Sequence, residues 1–152
     1  MTAYNFFAYP DNIRQRISQV FVFPPFQRQG HGERLLKIFN NLAIANNRVK
    51  DVTVEDPSDQ FQSLKDYIDC KNALGLSQFD VDLVKKGLYD KFFHLIKSEL
   101  KMSKPQILRV YEILCLKFMD KFNFIGQLKY KQSVMKRLTD FAVFICSVSL
   151  II

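Results

Sequence analysis

The segment Gln27-Arg28-Gln29-Gly30-His31-Gly32 places two glycines between an apolar run, "ISQVFVFPPF", and a stretch with helical apolar spacing, "ERLLKIFNNLAIA". At a junction of strand and helix, glycine removes side chains and lets backbone N–H groups close on a bulky anion, usually a phosphate held at the helix N-terminus. Close packing of the helix on a sheet at Gly30 and Gly32 explains the same residues without a ligand. A P-loop requires lysine and a hydroxyl residue directly after its last glycine, but Glu33 and Arg34 stand there. A dinucleotide fingerprint requires a third glycine; Leu35 takes that place, and Asp51 or Glu55 meets the acidic position only loosely. The remaining pattern is Gln/Arg-x-x-Gly-x-Gly/Ala, in which N–H groups from Gln29 to Glu33 would face a diphosphate, helped by the positive end of the helix macrodipole.

A second chemical feature is the acidic pair in "VTVEDPS". Val52 and Val54 carry Glu55 and Asp56 to the end of a β-rich run, and Pro57 stiffens the exit. A carboxylate so placed can accept a proton directly or through water, while the bland reading is a solvated acidic turn. His31 lies inside the glycine loop and reads as a backbone donor rather than a catalytic imidazole, and His94 reads as a structural residue in an apolar helix. Cys70, Cys115 and Cys146 are far apart and in no metal-ligand spacing. They suggest neither a disulfide framework nor a metal site, and a reducing compartment fits them best.

The elements that must position these residues follow from pattern. Aromatic and β-branched runs at Tyr4 to Tyr9 and Ile17 to Phe23, with "PDN" between them, predict a hairpin whose second strand ends at Pro24. Leu35, Ile38, Phe39, Leu42 and Ala43 predict one buried face of a helix that begins near Glu33 and ends at Asn46 and Asn47. "DVTVED" predicts a short strand, and Ser58 can cap a helix through Phe61, Leu64, Tyr67 and Ile68. The order β-β-α-β-α implies a mixed sheet, with parallel pairing across the first helix. Beyond "NALGLSQ" the pattern is helical: one segment from Asp80 to Leu100, and a second opened by a capping box of Ser103 and Gln106 with Ile107, Val110, Tyr111, Leu114 and Phe118 buried. A third runs over Leu128 to Leu138.

The 152 residues, 48% hydrophobic and 14% aromatic, suffice for a packed core. The net charge of +7 is uneven, since residues 85–137 hold 13 Lys and Arg against 4 Asp and Glu. Such a surface suits nucleic acid, an acidic protein or a cofactor's phosphates, or is simply a solvated helical face. The start "MTAYNFFAYPDNIR" has the pattern of neither a secretory nor an organellar signal. The final "FAVFICSVSLII" carries no charge but is too short to span a bilayer, so it reads as a buried strand, an oligomer contact or an aberrant end.

The glycine pattern resembles the acyl-CoA pyrophosphate loop of the GNAT acetyltransferase superfamily. "YPDNIRQRISQ", "PFQRQGHGERLL", "VTVEDPS" and "RVYEIL", in this order, resemble the catalytic subunit of type B histone acetyltransferase from Tyr4 to about Leu138. The resemblance implies an α/β fold: a partial GNAT core over residues 1–76, a helical extension over 77–138 and an apolar divergent tail over 139–152. It implies acetyl transfer from acetyl-CoA to lysines of newly made histones, favouring the histone-four N-terminal tail, with Glu55 as general base and no metal. Backbone groups of Val20, Phe21 and Val22 would pair with the pantetheine arm. Gln27, Arg28, Gln29, Gly30, His31, Gly32 and Glu33 would bind the diphosphate, with Ser58 and Tyr67 beside the rest of the cofactor. Tyr4, Asn5 and Phe6 would touch the histone peptide, and Asp56 would add negative potential for its cationic side chains. The implied partners are the histone tail and a WD-repeat histone chaperone, with no DNA requirement and no membrane, in nucleus and cytoplasm. Compared with the family, the chain is shortened at its N-terminus and divergent at its C-terminus. The alternative is a truncated noncatalytic module that binds histone or chaperone.

Overall fold

The hairpin forms with a tighter register than its apolar residues suggest. A computed structural model of the chain describes residues 1–120 and 123–149, with side chains described through residue 139. Strand β1 (Thr2–Ala8) and strand β2 (Asn12–Gln19) pair antiparallel around a turn with a cis Tyr9–Pro10 peptide. The second strand therefore starts five residues before Ile17 and stops at Gln19, not at Phe23. Pairing with β1 decides this: Ala8 opposes Asn12, and "NIRQR" is recruited into the ladder with Ile13 and Ile17 on one face and Arg14 and Arg16 on the other.

Helix α1 (His31–Ala45) then crosses to strand β3 (Val49–Val54), which pairs with β2 in parallel. The three-stranded sheet has the order β1-β2-β3 and is mixed, as the element order implies. Helix α2 (Asp59–Leu74) follows, capped by Ser58, whose Oγ accepts from the Phe61 N–H at 3.3 Å. Helices α1 and α2 cover one sheet face around Ile17, Leu36, Ala43, Val49, Val52 and Ile68. The buried line of α1 is Leu36, Asn40 and Ala43, whereas Ile38 and Leu42 are exposed. A Cβ on Gly32 would lie 3.0 Å from Leu64 Cδ2, so close contact with α2 fixes the rotation of α1 and turns Ile38 and Leu42 outward. On α2 the inward positions include Lys65, Asp66, Ile68 and Asp69, and Tyr67 points to solvent.

The expected single helix from Asp80 to Leu100 is two, α3 (Val81–Lys85) and α4 (Tyr89–Leu100), because the chain turns through Gly87 at φ +70°. Helix α5 (Lys104–Phe118) buries Ile107, Val110 and Leu114, with Tyr111 and Phe118 partly covered. Its capping box does not form: Ser103 makes no side-chain cap bond, and Gln106 is drawn into contacts with α2. Phe92 and Ile96 of α4 join this second core, which also takes Ala73 from α2. His94 is exposed, with its ring edge-on to Phe93, and so is not a buried structural residue. Met102 bridges to Val52, and the Val52 N–H donates to Lys101 O at 2.9 Å, fastening the helical extension to the sheet.

Helix α6 (Phe124–Ser149) includes the predicted Leu128 to Leu138 segment and is tied to α5 by Arg137, whose Nε and Nη2 donate to Glu112 at 2.7 and 2.8 Å. Its backbone runs on through the apolar tail as helix rather than strand. The tail's side chains and residues 150–152 lie outside the described residues, and with them its expected burial or oligomer contact. Among the described residues no helix is long and apolar enough to cross a membrane.

Candidate functional site

The parallel pairing of β2 and β3 ends at the Glu55 N–H, which donates to Ile17 O at 2.9 Å. Past this bond the two chains part. β2 leaves the sheet toward Val20 and Phe21, while β3 turns at Asp56, which holds a left-handed φ of +36° before Pro57. A cavity of about 450 Å³ opens in the gap, lined by Ser18, Val20 and Phe21 on one side and Glu55, Asp56 and Ser58 on the other, with Phe61 at its base. Glu55 is exposed at this cavity, within reach of an incoming group. Nonlocal strand pairing thus brings Val20, Phe21, Glu55, Asp56 and Ser58 together.

The glycine loop begins with a 3-10 turn at Pro24–Phe26. Gln27 Nε2 donates to Val22 O at 2.9 Å and Gln29 Nε2 to Pro25 O at 2.8 Å, so these two glutamines brace the loop from within. Val22 O, expected to face the pantetheine arm, is one of the acceptors they occupy. Arg28 and Gly30 take left-handed backbone angles, φ +57° and +82°. Gly30 is the N-cap of α1 and supplies no side-chain cap, so the first-turn N–H groups of His31, Gly32 and Glu33 are not consumed by one. The two glycines have different reasons: Gly30 has open space around it and is needed for its φ, whereas Gly32 is needed for contact with α2. The His31 ring lies edge-on to Phe26. Glu33 pairs with Lys37 at 2.6 Å and reaches Lys71 at 3.7 Å, and hydrogen bonding to Lys37 holds its carboxyl below the usual range.

Tyr67 does not line the cavity. Its ring lies 5.7 Å from Lys71 Nζ, which places it beside the first turn of α1. Tyr4, Asn5 and Phe6 sit on β1, separated from β3 by β2, and likewise do not line the cavity. Tyr4 opposes Arg16 and Phe6 opposes Arg14, so both rings share the sheet face that α1 and α2 leave open.

That face holds what the apolar patterns passed over. Asp51, 3% exposed, accepts from Arg14 Nε at 2.6 Å and Nη2 at 3.0 Å, and from Lys97 Nζ at 3.1 Å. Burial alone would raise its carboxyl; the bonds from Arg14 and Lys97 outweigh that and hold it low. Between α2 and α5, Asp66 accepts from Gln62, Gln106 and Arg109 at 2.7, 2.9 and 2.7 Å, and the same balance lowers it. Asp69, 1% exposed, is pushed up by burial despite Lys65 at 2.6 Å. The spacing of Arg14 and Arg16 between Ile13 and Ile17, and of Lys65 and Asp69 one helical turn apart, is the signal that marks these groups in the sequence. Burial pushes the Cys70 thiol up to about 11 and raises that of Cys115, so burial disfavours the reactive thiolate form of both. Among the described residues no three His, Cys, Asp or Glu side chains converge to hold a metal ion.

A mixed sheet whose parallel strands β2 and β3 part beside a glycine-opened helix, with a carboxylate at the mouth, is consistent with a partial acyltransferase core. Residues 65–116 match the family described as histone acetyltransferase type B catalytic subunit, C-terminal. The catalytic subunit of this enzyme from Rattus norvegicus is 35% identical over 138 residues, covering 91% of this chain and 33% of the relative. That from Homo sapiens is 33% identical over the same coverage, and that from Zea mays 38% identical over 77% of this chain and 29% of the relative. The chain is therefore similar to type B histone acetyltransferase catalytic subunits, and it spans about a third of the length of the curated relatives it matches.

Proposed function

We propose that this chain carries the acetyl-CoA site and the general base of a GNAT-type histone lysine acetyltransferase. The cavity where β2 and β3 part is the observation that carries the reading, because it sets Glu55 opposite the free chain edge at Val20 and Phe21. The acyl thioester would lie in this gap. The diphosphate would lie on the first-turn N–H groups of α1, where the helix dipole favours an anion. Gly30 permits the approach, and the glutamine braces hold the loop ready. Ser58 lines the same cavity, and Tyr67 stands near the loop's far end.

A lysine ammonium is no nucleophile. Glu55 would take one proton from the ammonium, the free amine would attack the acetyl carbonyl, and the new C–N bond would form as the C–S bond breaks, the thiolate leaving group taking the second proton that the nitrogen loses on becoming an amide. Asp56 beside Glu55 makes the mouth negative and attracts a cationic side chain. The relatives' names support histone as the substrate. The histone-four tail, with Tyr4 to Phe6 among its contacts, is the preferred form of that substrate. A WD-repeat histone chaperone is the proposed partner, and nucleus and cytoplasm are the proposed locations. Titration of the purified chain with acetyl-CoA, followed by acetylation of a histone-four tail peptide, tests the reading. Saturable binding with turnover is expected; binding without turnover leaves a noncatalytic module, and absence of binding overturns the site.

A further inference from the structure

A second cavity, of about 600 Å³, lies between the open sheet face and the start of α5, and it meets the first across the end of β3 at Val54 and Pro57. Its wall is strongly cationic. Four of the lining cations already hold carboxylates: Arg14 and Lys97 hold Asp51, Lys65 holds Asp69, and Arg109 holds Asp66. Arg16, Lys50 and Lys104 also line it and have no ion-pair partner among the described residues, while Asp51 is its one acidic lining residue.

Arg16 is the informative member. Its guanidinium stands 5.1 Å from the Phe6 ring centroid, and its Nε is buried with no hydrogen-bond partner. A buried charged donor without an acceptor is costly, and an anion entering the cavity would remove that cost. Stacking on Phe6 holds the group in place, so little side-chain freedom is lost on binding. From Arg16 the surface continues onto Tyr4 and Phe6 of the uncharged edge strand β1.

We propose that this cavity docks an acidic peptide segment of a protein partner, its carboxylates meeting Arg16, Lys50 and Lys104. Carboxylates are what the neighbouring cations already bind, and a small concave pocket does not admit a nucleic-acid duplex. A lysine-rich tail is repelled from it. The charge therefore reverses across β3, from an acidic mouth at Glu55 and Asp56 to a basic pocket behind it. The proposal does not depend on acetyl transfer.

Fluorescence anisotropy of a labelled Asp- and Glu-rich peptide, titrated with the whole chain at about 150 mM salt, tests it. Saturable binding is expected, with a loss of at least about tenfold in the Arg16→Gln/Lys50→Gln/Lys104→Gln variant. The charge-matched variant Arg48→Gln/Lys91→Gln/Lys131→Gln, all exposed and outside the cavity, should keep its affinity within about twofold. If loss of Arg16 unfolds the chain, the Lys50→Gln/Lys104→Gln pair, both exposed, gives the same comparison. Absence of binding, equal weakening in both sets, or displacement of the peptide by a single-stranded oligonucleotide of equal charge at lower concentration overturns the proposal.

Discussion

At the scale of single residues, Glu55 and the two glycines make separable contributions. Glu55 sits at the cavity mouth and touches no part of the proposed diphosphate loop. Glu55→Gln should therefore leave acetyl-CoA affinity unchanged and lower turnover by about 10²-fold, most strongly near neutral pH, where the substrate lysine is protonated. Steady-state rates against pH, alongside a cofactor titration, read this; unchanged turnover removes Glu55 from the role of base. Gly30 and Gly32 should fail differently. An alanine at Gly30 must hold a left-handed φ, which costs about 1–2 kcal/mol. An alanine at Gly32 has an ordinary φ but presses on Leu64 Cδ2 at 3.0 Å. Thermal melts should therefore show Gly32→Val rescued in part by Leu64→Ala and Gly30→Ala not rescued. A Gly32→Val variant unaffected by the second change means that packing on α2 is not its reason.

Between elements, α2 and α5 are joined by polar groups as well as by apolar ones. Asp66 receives Gln106 and Arg109 across that interface and Gln62 from its own helix, so removing its carboxylate strands all three together. Asp66→Ala should cost about 3 kcal/mol, the low end for a buried pair, because Arg109 is partly exposed to solvent screening. The pH dependence has a definite sign. The carboxyls of Asp51 and Asp66 lie below their ordinary range in the folded chain, so the stability they contribute is complete above that range and falls as pH drops through their folded values. Asp69, whose carboxyl is raised, acts oppositely: its contribution is present at low pH and lost as pH rises through its folded value. Urea denaturation from neutral pH to about pH 3 should show a declining midpoint. The decline should be shallower in Asp66→Asn, and an identical slope in the variant excludes Asp66 as a source of the acid sensitivity.

For the molecule as a whole, two apolar cores share α2, with Ile68 in the sheet core and Ala73 in the helical one. The bridge of Val52 to Met102 and the Lys97 bond to Met102 O make the helical extension part of the sheet's support. Among the described residues the Glu55 cavity is lined by the sheet and the start of α2, between Ile17 and Phe61, and the charge-free segment from Phe141 to Ile152 lies at the far end of the sequence. Exposed segments of that apolarity promote association. Deleting Phe141 to Ile152 should raise solubility, measured by sedimentation velocity, and leave acetyl-CoA binding intact. Loss of folding or of binding on deletion shows instead that the tail completes a core.

What depends on neighbours along the chain is readable from residue order alone. The turn at Pro10, the cap at Ser58 and the apolar spacing of α5 are local constraints, legible where backbone sterics and helical period act alone. The glycine loop and the acidic pair were legible as chemistry for the same reason: their residue types restrict what the backbone and side chains can do. Packing in three dimensions set which strand register recruits Arg14 and Arg16, which side of α1 is buried, and why Gln106 abandons its cap for Asp66. It also decided that Glu55 and Phe21 face one gap while Tyr4 and Phe6 turn to a basic face. Those outcomes rest on contacts between segments far apart in sequence, where burial and pairing energies override local preference.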